Sequence, residues 1–188
     1  MTWHLTSLDG AAPAPWRNGG GVTRELAAQP GGADWTWRIS VAEVAADGPF
    51  SSFPGVQRWF AVLGGAGVIL KRAGAEHRLT LASAPLSFDG EEAVDCELLH
   101  GPTRDLNLMV RRELASARMA RVNGVRHLMA ARAKVVAVYA VGEPAQLRHE
   151  GESVEVAPHT LAWASLPAGA EVAVTSASAL AMEIEPWA

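Results

Sequence analysis

Turn-forming residues interrupt this chain so often that long helices have little room in it. Eighteen glycines and eleven prolines separate short segments that are rich in β-branched and aromatic residues. In residues 35–42, large apolar residues alternate with polar or small ones over eight positions. A two-residue period places alternate side chains on opposite faces of a β-strand. The pattern therefore predicts an all-β protein, folded as a sandwich or barrel.

Further strands are expected wherever short β-prone segments lie between turn signals. Only residues 113–132 could form a helix, and Asn123-Gly124 interrupts them with a turn signal. The predicted strands besides 35–42 are 58–63, 67–72, 77–81, 86–88, 94–99, 105–110, 135–141, 153–156, 161–165, 171–175 and 180–185.

The two halves of the chain resemble each other in pattern. Residues 61–63 and the glycines after them correspond to residues 137–139 and Gly142, and residues 79–81 correspond to 154–156. The offsets, 137 − 61 = 76 and 154 − 79 = 75, agree within one residue. The repeat predicts two tandem jelly-roll units, 1–112 and 113–188, which form one compact body because no long polar linker separates them.

Composition argues against several classes of partner and location. The net charge of −4 gives the chain no long-range attraction to nucleic acid or to an anionic membrane. The longest apolar run, residues 135–141, is too short to span a bilayer, and the first residues lack a signal-peptide pattern. We therefore expect a cytoplasmic protein. Its single cysteine, Cys96, excludes an intrachain disulfide and has apolar neighbours typical of a buried, inert thiol.

Two segments in the first quarter of the chain carry candidate binding groups. Gly19-Gly20-Gly21 could form a tight loop before a strand or an anion-binding nest of backbone N–H groups. Arg38 and Ser40 share one face of the strand over 35–42. Arg38 could form a structural salt bridge with Glu25 or Asp105, or it could recognise a ligand carboxylate bidentately.

Two later segments complete the candidate site. Two prolines and two glycines constrain the loop over 47–58, where Phe50 and Phe53 are expected to fix it at the barrel mouth close to Arg58. Asp105, Asn107 and Met109 share a face of the next predicted strand. That face could be a pocket wall, and hydrogen bonding within the protein interior is the alternative.

Together these segments resemble the HutD family, in order and spacing. The motifs that carry the resemblance are Trp16-Arg17-Asn18-Gly19-Gly20-Gly21 with Thr23 and Glu25, Trp37-Arg38-Ile39-Ser40, Gly48-Pro49-Phe50-Ser51 with Phe53-Pro54-Gly55 and Arg58, and Asp105 with Asn107, Met109 and Arg111. The resemblance implies a double-cupin fold and an association with histidine utilisation. It also implies binding of an acidic pathway intermediate such as formylglutamate, with a regulatory or flux-moderating role.

The histidines do not have the spacing of a metal-dependent cupin. Such a site needs about three imidazoles and a carboxylate, usually starting from a His-x-His pair. Here the six histidines are at least ten residues apart: His4, His77, His100, His127, His149 and His159. We expect no metal and no other cofactor.

The sequence thus predicts metal-independent binding of a small acidic metabolite in the first barrel. The expected ligand-binding residues are Asn18, Arg38, Ser40, Arg58 and Asn107, with loops 19–21 and 49–54 at the same mouth. The alternative is a metal-independent cupin isomerase or hydrolase acting on a small polar metabolite, but no acid–base pair is evident. Seven tryptophans, among them Trp187, leave room for a self-association surface and a homodimer.

Overall fold

The computed structural model describes residues 1–16 and 19–187, and these residues form strands and no helix. The all-β prediction is therefore confirmed. The strands are β1 (His4–Ser7), β2 (Pro13–Pro15), β3 (Gly21–Gln29), β4 (Trp37–Val44), β5 (Gly48–Pro49), β6 (Val56–Gly64), β7 (Val68–Arg72), β8 (Ala75–Leu79), β9 (Leu86–Asp89), β10 (Val94–Leu98), β11 (Thr103–Arg111), β12 (Ala115–Met129), β13 (Lys134–Ala140), β14 (Ala145–His149), β15 (Glu152–Val156), β16 (Thr160–Leu166) and β17 (Glu171–Pro186). Within the described ranges there is accordingly no helix that could cross a membrane.

The chain divides into two compact units. The first unit is Ala11–Leu114, and the second is Met1–Gly10 together with the chain from Ala115 onwards. The sequence predicts a division into 1–112 and 113–188, and the structure differs from it at the N-terminus. The first ten residues lie in the second unit because β1 pairs with β16.

The first unit contains two antiparallel sheets. One has six strands in the order β2-β3-β4-β11-β6-β9, and the other has four in the order β5-β10-β7-β8. Apolar side chains from both sheets form one core, in which Phe60, Val62 and Phe88 lie with Leu70 and Val94. The interior between the sheets is thus bounded by the β4-β11-β6 face of the larger sheet.

The second unit is one curled antiparallel sheet of seven strands. Its order is β1-β16-β13-β17-β14-β15, and β12 pairs along β17. The first part of β17 also pairs with β14 and the last part with β13, so this long strand joins both ends of the sheet. Between Val122 and Gly124 the β12–β17 register shifts, and Gly124 has a φ of 103° that favours glycine. The Asn-Gly signal therefore marks an irregularity in a strand.

Corresponding hairpins in the two units support the predicted internal repeat. The β7–β8 hairpin turns at Ala73-Gly74, and the β14–β15 hairpin turns at Glu150-Gly151, with positive φ at all four residues. Two consecutive residues with positive φ are the requirement of a type I′ turn, which suits the twist of paired strands. The offset, 150 − 73 = 77, is close to the 75 and 76 of the sequence repeat.

Candidate functional site

The interior face of the larger sheet carries the predicted polar residues in ordered rows. Directly opposed residues of antiparallel strands have their side chains on the same face. Met109 of β11 lies between Arg38 of β4 and Arg58 of β6. In the next row, Asn107 is opposite Ser40 and also opposite Phe60. Four of the five predicted site residues therefore share one wall; the fifth, Asn18, lies outside the described residues.

Arg58 is the most unusual of these residues because it is a buried cation surrounded by aromatic rings. The residue is only 6% exposed. Its guanidinium carbon lies 5.0, 5.6 and 5.1 Å from the ring centroids of Phe50, Phe53 and Phe88. Cation–π attraction in such a desolvated position partly offsets the cost of burying the charge.

The hydrogen bonds of Arg58 leave part of its guanidinium unused. Nη2 donates to Oδ1 of Asn107 at 3.0 Å, and Nη1 donates a long 3.4 Å bond to the carbonyl oxygen of Ser51. Nε is buried and has no partner. Among residues 1–16 and 19–187, no carboxylate forms an ion pair with Arg58. Burial of the guanidinium lowers the pKa of Arg58 to about 10. A buried guanidinium with an unused N–H edge is suited to receive an anion.

Asn107 and Ser40 extend the hydrogen-bonding surface beside Arg58. Asn107 is 6% exposed and Ser40 is 3% exposed. Because Oδ1 of Asn107 accepts from Arg58, its Nδ2 remains to donate elsewhere. The Ser40 hydroxyl lies on the same wall, opposite Asn107. The three side chains together offer N–H and O–H donors to one small region.

Arg38 is in a different situation, because it already has a carboxylate partner. Its Nε donates to Oε2 of Glu25 at 2.7 Å, and the two side chains are 23% and 47% exposed. Glu25 reaches this position because β3 pairs with β4 so that Glu25 is opposite Ser40. Of the two alternatives for Arg38, the structure contains the salt bridge to Glu25.

Asp105 is the next residue along this face of β11 and is completely buried. Its Oδ2 accepts a long 3.4 Å hydrogen bond from Thr103, and its Oδ1 has no partner. Burial raises the pKa of Asp105 to about 8, against an ordinary value of 3.8. The neutral carboxylic acid is therefore the favoured form at neutral pH.

Cys96 of β10 is buried in the same core. Burial, and then the negative charge of Asp105, raises the pKa of its thiol to about 12. A thiol that stays protonated is a poor nucleophile, as expected of an inert cysteine.

The loop before Arg58 is held firmly in place. The backbone N–H of Phe50 donates to Val94 at 2.9 Å, and that of Phe53 donates to Gly90 at 2.7 Å. Gly90 allows this approach, since a Cβ atom there would lie 2.4 Å from the carbonyl oxygen of Phe53. The loop therefore presents its two phenylalanines to Arg58 as fixed groups.

The glycine loop lies elsewhere along the sheet. Gly21 is opposite Val44, six residues along β4 from Arg38, which corresponds to about 20 Å of strand. A Cβ atom on Gly21 would lie 2.4 Å from the carbonyl oxygen of Glu43, so the close backbone approach requires glycine. The prediction that loops 19–21 and 49–54 share one mouth is not supported by this register, because Ser51 lies beside Arg58.

The described part of this wall contains no histidine. Among residues 1–16 and 19–187, no three His, Cys, Asp or Glu side chains converge as a metal site would require. The functional groups on the wall are a guanidinium, an amide, a hydroxyl and one buried carboxylic acid. Such groups are suited to binding a small polar anion.

Comparison with known proteins identifies the family. Residues 10–182 match the HutD family. The chain belongs to the HutD family. A protein of Pseudomonas putida, described as an uncharacterized 21.2 kDa protein in the hutC 3′ region, is 36% identical over 143 residues, 75% of each chain. Protein Ves of Citrobacter koseri is 39% identical over 106 residues, 55% of this chain and 56% of Ves.

A solved structure of a HutD protein has the same fold. HutD from Pseudomonas fluorescens SBW25, solved in a formate condition, has a TM-score of 0.86 and 30% identity, with 100% of both chains covered. A cupin 2 conserved barrel protein from Leptotrichia buccalis has a TM-score of 0.54 at 11% identity, with 89% of each chain covered, and shows the fold alone. The all-β fold is thus cupin-like, and family membership together with the hut-region relative links the chain to histidine utilisation.

Two features of the site were not found from the sequence. Phe88 contacts Arg58 because β9 pairs with β6 and places these two residues opposite each other. Alternation predicts that Asp105 lies on the same strand face as Asn107. Its lack of a cation partner depends on the surrounding side chains, which the sequence does not give. The alternating Leu-Ser-Phe of β9 is the one sequence signal that could have indicated Phe88.

Proposed function

We propose that this HutD protein binds a small acidic metabolite inside its first unit, without a metal ion, and that Arg58 receives the ligand's carboxylate. The observation that carries the proposal is the buried guanidinium that has no acidic partner among the described residues. Burying a charge is costly unless it is paired. A ligand carboxylate would supply the missing charge and accept a bond from Nε.

Asn107 and Ser40 would hold the ligand beside Arg58 by hydrogen bonds. Arg38 would act at the periphery, because Glu25 already occupies its Nε. Asn18 stays a prediction. In this proposal the aromatic rings around Arg58 exclude water and strengthen the charge-assisted contact.

The family link to histidine utilisation favours an intermediate of that pathway, and a formylglutamate-like acid has the required carboxylate chemistry. We propose a cytoplasmic protein that binds such an acid in order to regulate the pathway or moderate its flux. A metal-independent isomerase or hydrolase is the second candidate, and one observation favours it. The pKa of Asp105, about 8, is suited to proton transfer near neutral pH. Binding is the preferred function because the described wall has no histidine to complete an acid–base pair.

A thermal-shift screen tests the proposal. Formylglutamate, other small carboxylic acids and their amides are each compared at saturating concentration. At about 100 times Kd, a ligand should raise the melting temperature by about 5–10 °C. We expect the acids to stabilise the protein, the amides to fail, and Arg58→Met to reduce the shift to about 3 °C or less. Equal shifts for acids and amides, or shifts of undiminished size in Arg58→Met, would refute carboxylate binding at Arg58.

A further inference from the structure

Asp105 is a second buried polar group on the proposed binding wall that lacks a full set of partners. The residue has no exposed surface, and Oδ1 makes no hydrogen bond. Buried carboxyl oxygens in folded proteins are nearly always hydrogen-bonded, so an unused one needs an explanation. The 3.4 Å contact from Thr103 is too long to satisfy the group by itself.

The groups around Asp105 do not provide a counter-charge. Its neighbours in register are Ala42 on β4 and Val62 on β6. Cys96 lies near it from the smaller sheet, and its thiol is protonated. No cation among the described residues pairs with Asp105, and the acid stays neutral at neutral pH because burial raises its pKa. A neutral carboxylic acid can donate one hydrogen bond through its O–H.

The distance between the Asp105 carboxyl group and the Arg58 guanidinium determines the size of a ligand that could contact both. The Arg58 guanidinium lies beside the Asn107 side chain, and Asp105 is two residues from Asn107 on the same face of β11. Two residues of a strand span about 7 Å. A molecule with polar groups at both ends of a short carbon chain matches this distance.

We infer that Asp105 donates a hydrogen bond to an uncharged acceptor on the far end of the ligand whose carboxylate Arg58 holds. The site would then select carboxylates that carry an amide or similar carbonyl group a short spacer away. This inference rests on the proposed carboxylate binding at Arg58. It adds a second specificity-determining residue to that site.

The test compares two probes that differ only at the far end. 4-Oxopentanoate carries a carboxylate and a ketone oxygen that can only accept a hydrogen bond, and 4-methylpentanoate has a methyl group in place of that oxygen. Calorimetric titration of the wild type should show 4-oxopentanoate binding about tenfold more tightly than 4-methylpentanoate. Asp105→Asn should keep the preference, because its amide donates from the same position. Asp105→Leu should lose the preference.

The outcomes separate this inference from the proposal on which it rests. If Asp105→Leu retains the preference, Asp105 does not contact the ligand. If the wild type shows no preference, or Asp105→Asn loses it, Asp105 does not donate a hydrogen bond to the ligand. Any of these results overturns the inference and leaves Arg58 in its role, provided that 4-methylpentanoate binds. If neither probe binds the wild type, both proposals fail. Melting temperatures of the two variants establish that each is folded.

Discussion

Arg58 donates a hydrogen bond from Nη2 to Oδ1 of Asn107 at 3.0 Å, and both residues are buried. The two are diagonal neighbours, since Arg58 is opposite Met109 and Asn107 is opposite Phe60. The bond fixes the Asn107 amide with its nitrogen free to donate. The Arg58 guanidinium and the Asn107 amide therefore present hydrogen-bond donors side by side. A carboxylate would be expected at this place to compensate the buried charge of Arg58.

Replacing Arg58 by methionine should stabilise the empty protein. Methionine fills similar space between Phe50, Phe53 and Phe88 without a charge to desolvate. We expect the melting temperature in ligand-free buffer to rise by about 2–4 °C, as a gain of about 1 kcal/mol would produce in a chain of this size. A clear decrease, measured by calorimetry, would mean that Arg58 has a structural role.

Replacing Arg38 by alanine should slightly lower the thermal stability of the protein, in contrast to the increase expected for Arg58→Met. Its ion pair with Glu25 is partly exposed, and such pairs contribute at most about 1 kcal/mol. Arg38→Ala should therefore lower the melting temperature by less than about 4 °C. Glu25→Gln is the matched control and should cause a similar decrease.

The affinity of Arg38→Ala for a carboxylate decides whether Arg38 binds the ligand directly. We expect its loss of affinity to be at least about tenfold smaller than that of Arg58→Met, because Glu25 competes for the guanidinium. Equal losses in the two variants would place both arginines on the ligand.

The raised pKa of Asp105 predicts a specific dependence of stability on pH. Between its ordinary pKa of 3.8 and its folded value of about 8, the unfolded chain has lost a proton that the folded chain retains. The contribution of this group to the free energy of unfolding therefore falls as pH rises from about 4 to about 8, and then levels off. In Asp105→Asn that loss should be absent.

The measurement is the difference in melting temperature between Asp105→Asn and the wild type. It should be near zero at pH 4 and should favour the variant by more than about 4 °C at pH 9. Asp95→Asn, at an exposed position on β10, is the control for loss of one negative charge. A constant difference across the range would show that Asp105 ionises normally in the folded protein.

Metal analysis addresses the cofactor prediction. The described residues contain no cluster of three ligating side chains. After dialysis, elemental analysis should find less than about a tenth of an equivalent of zinc, iron, manganese or nickel, because a cupin site usually needs three imidazoles and a carboxylate. Stoichiometric metal bound by two or more histidines would contradict metal-independent binding.

Much of the fold followed from alternation and turn residues, and the exceptions have physical reasons. β4 and β11 were predicted because one face is apolar and each strand lies between turn signals. β12 was less evident, because its alanines and arginines suit a helix as well as a strand, and pairing with β17 decides between them. β2 has only three residues, too few for a period to show.

The sequence predicts which site residues share a face of the sheet, but it does not predict which side chains form ion pairs or hydrogen bonds with each other. Alternation alone places Arg38 with Ser40 and Asp105 with Asn107. The partner of Arg38 depends on β3, whose register with β4 shifts between Glu25 and Ala27, and no sequence signal gives such a shift. Only the strand pairing therefore shows that Arg38 has a carboxylate partner and that Arg58 has none among the described residues.

Titration calorimetry with formylglutamate on the wild type, Arg58→Met and Arg58→Lys tests carboxylate binding most directly. We expect Arg58→Met to weaken binding by about 30- to 150-fold, equivalent to the loss of about 2–3 kcal/mol of charge-assisted hydrogen bonding. Arg58→Lys should recover only part of this loss, because an ammonium group cannot reproduce the planar guanidinium. Wild-type affinity in a folded Arg58→Met protein would contradict the role of Arg58 and with it the proposed site.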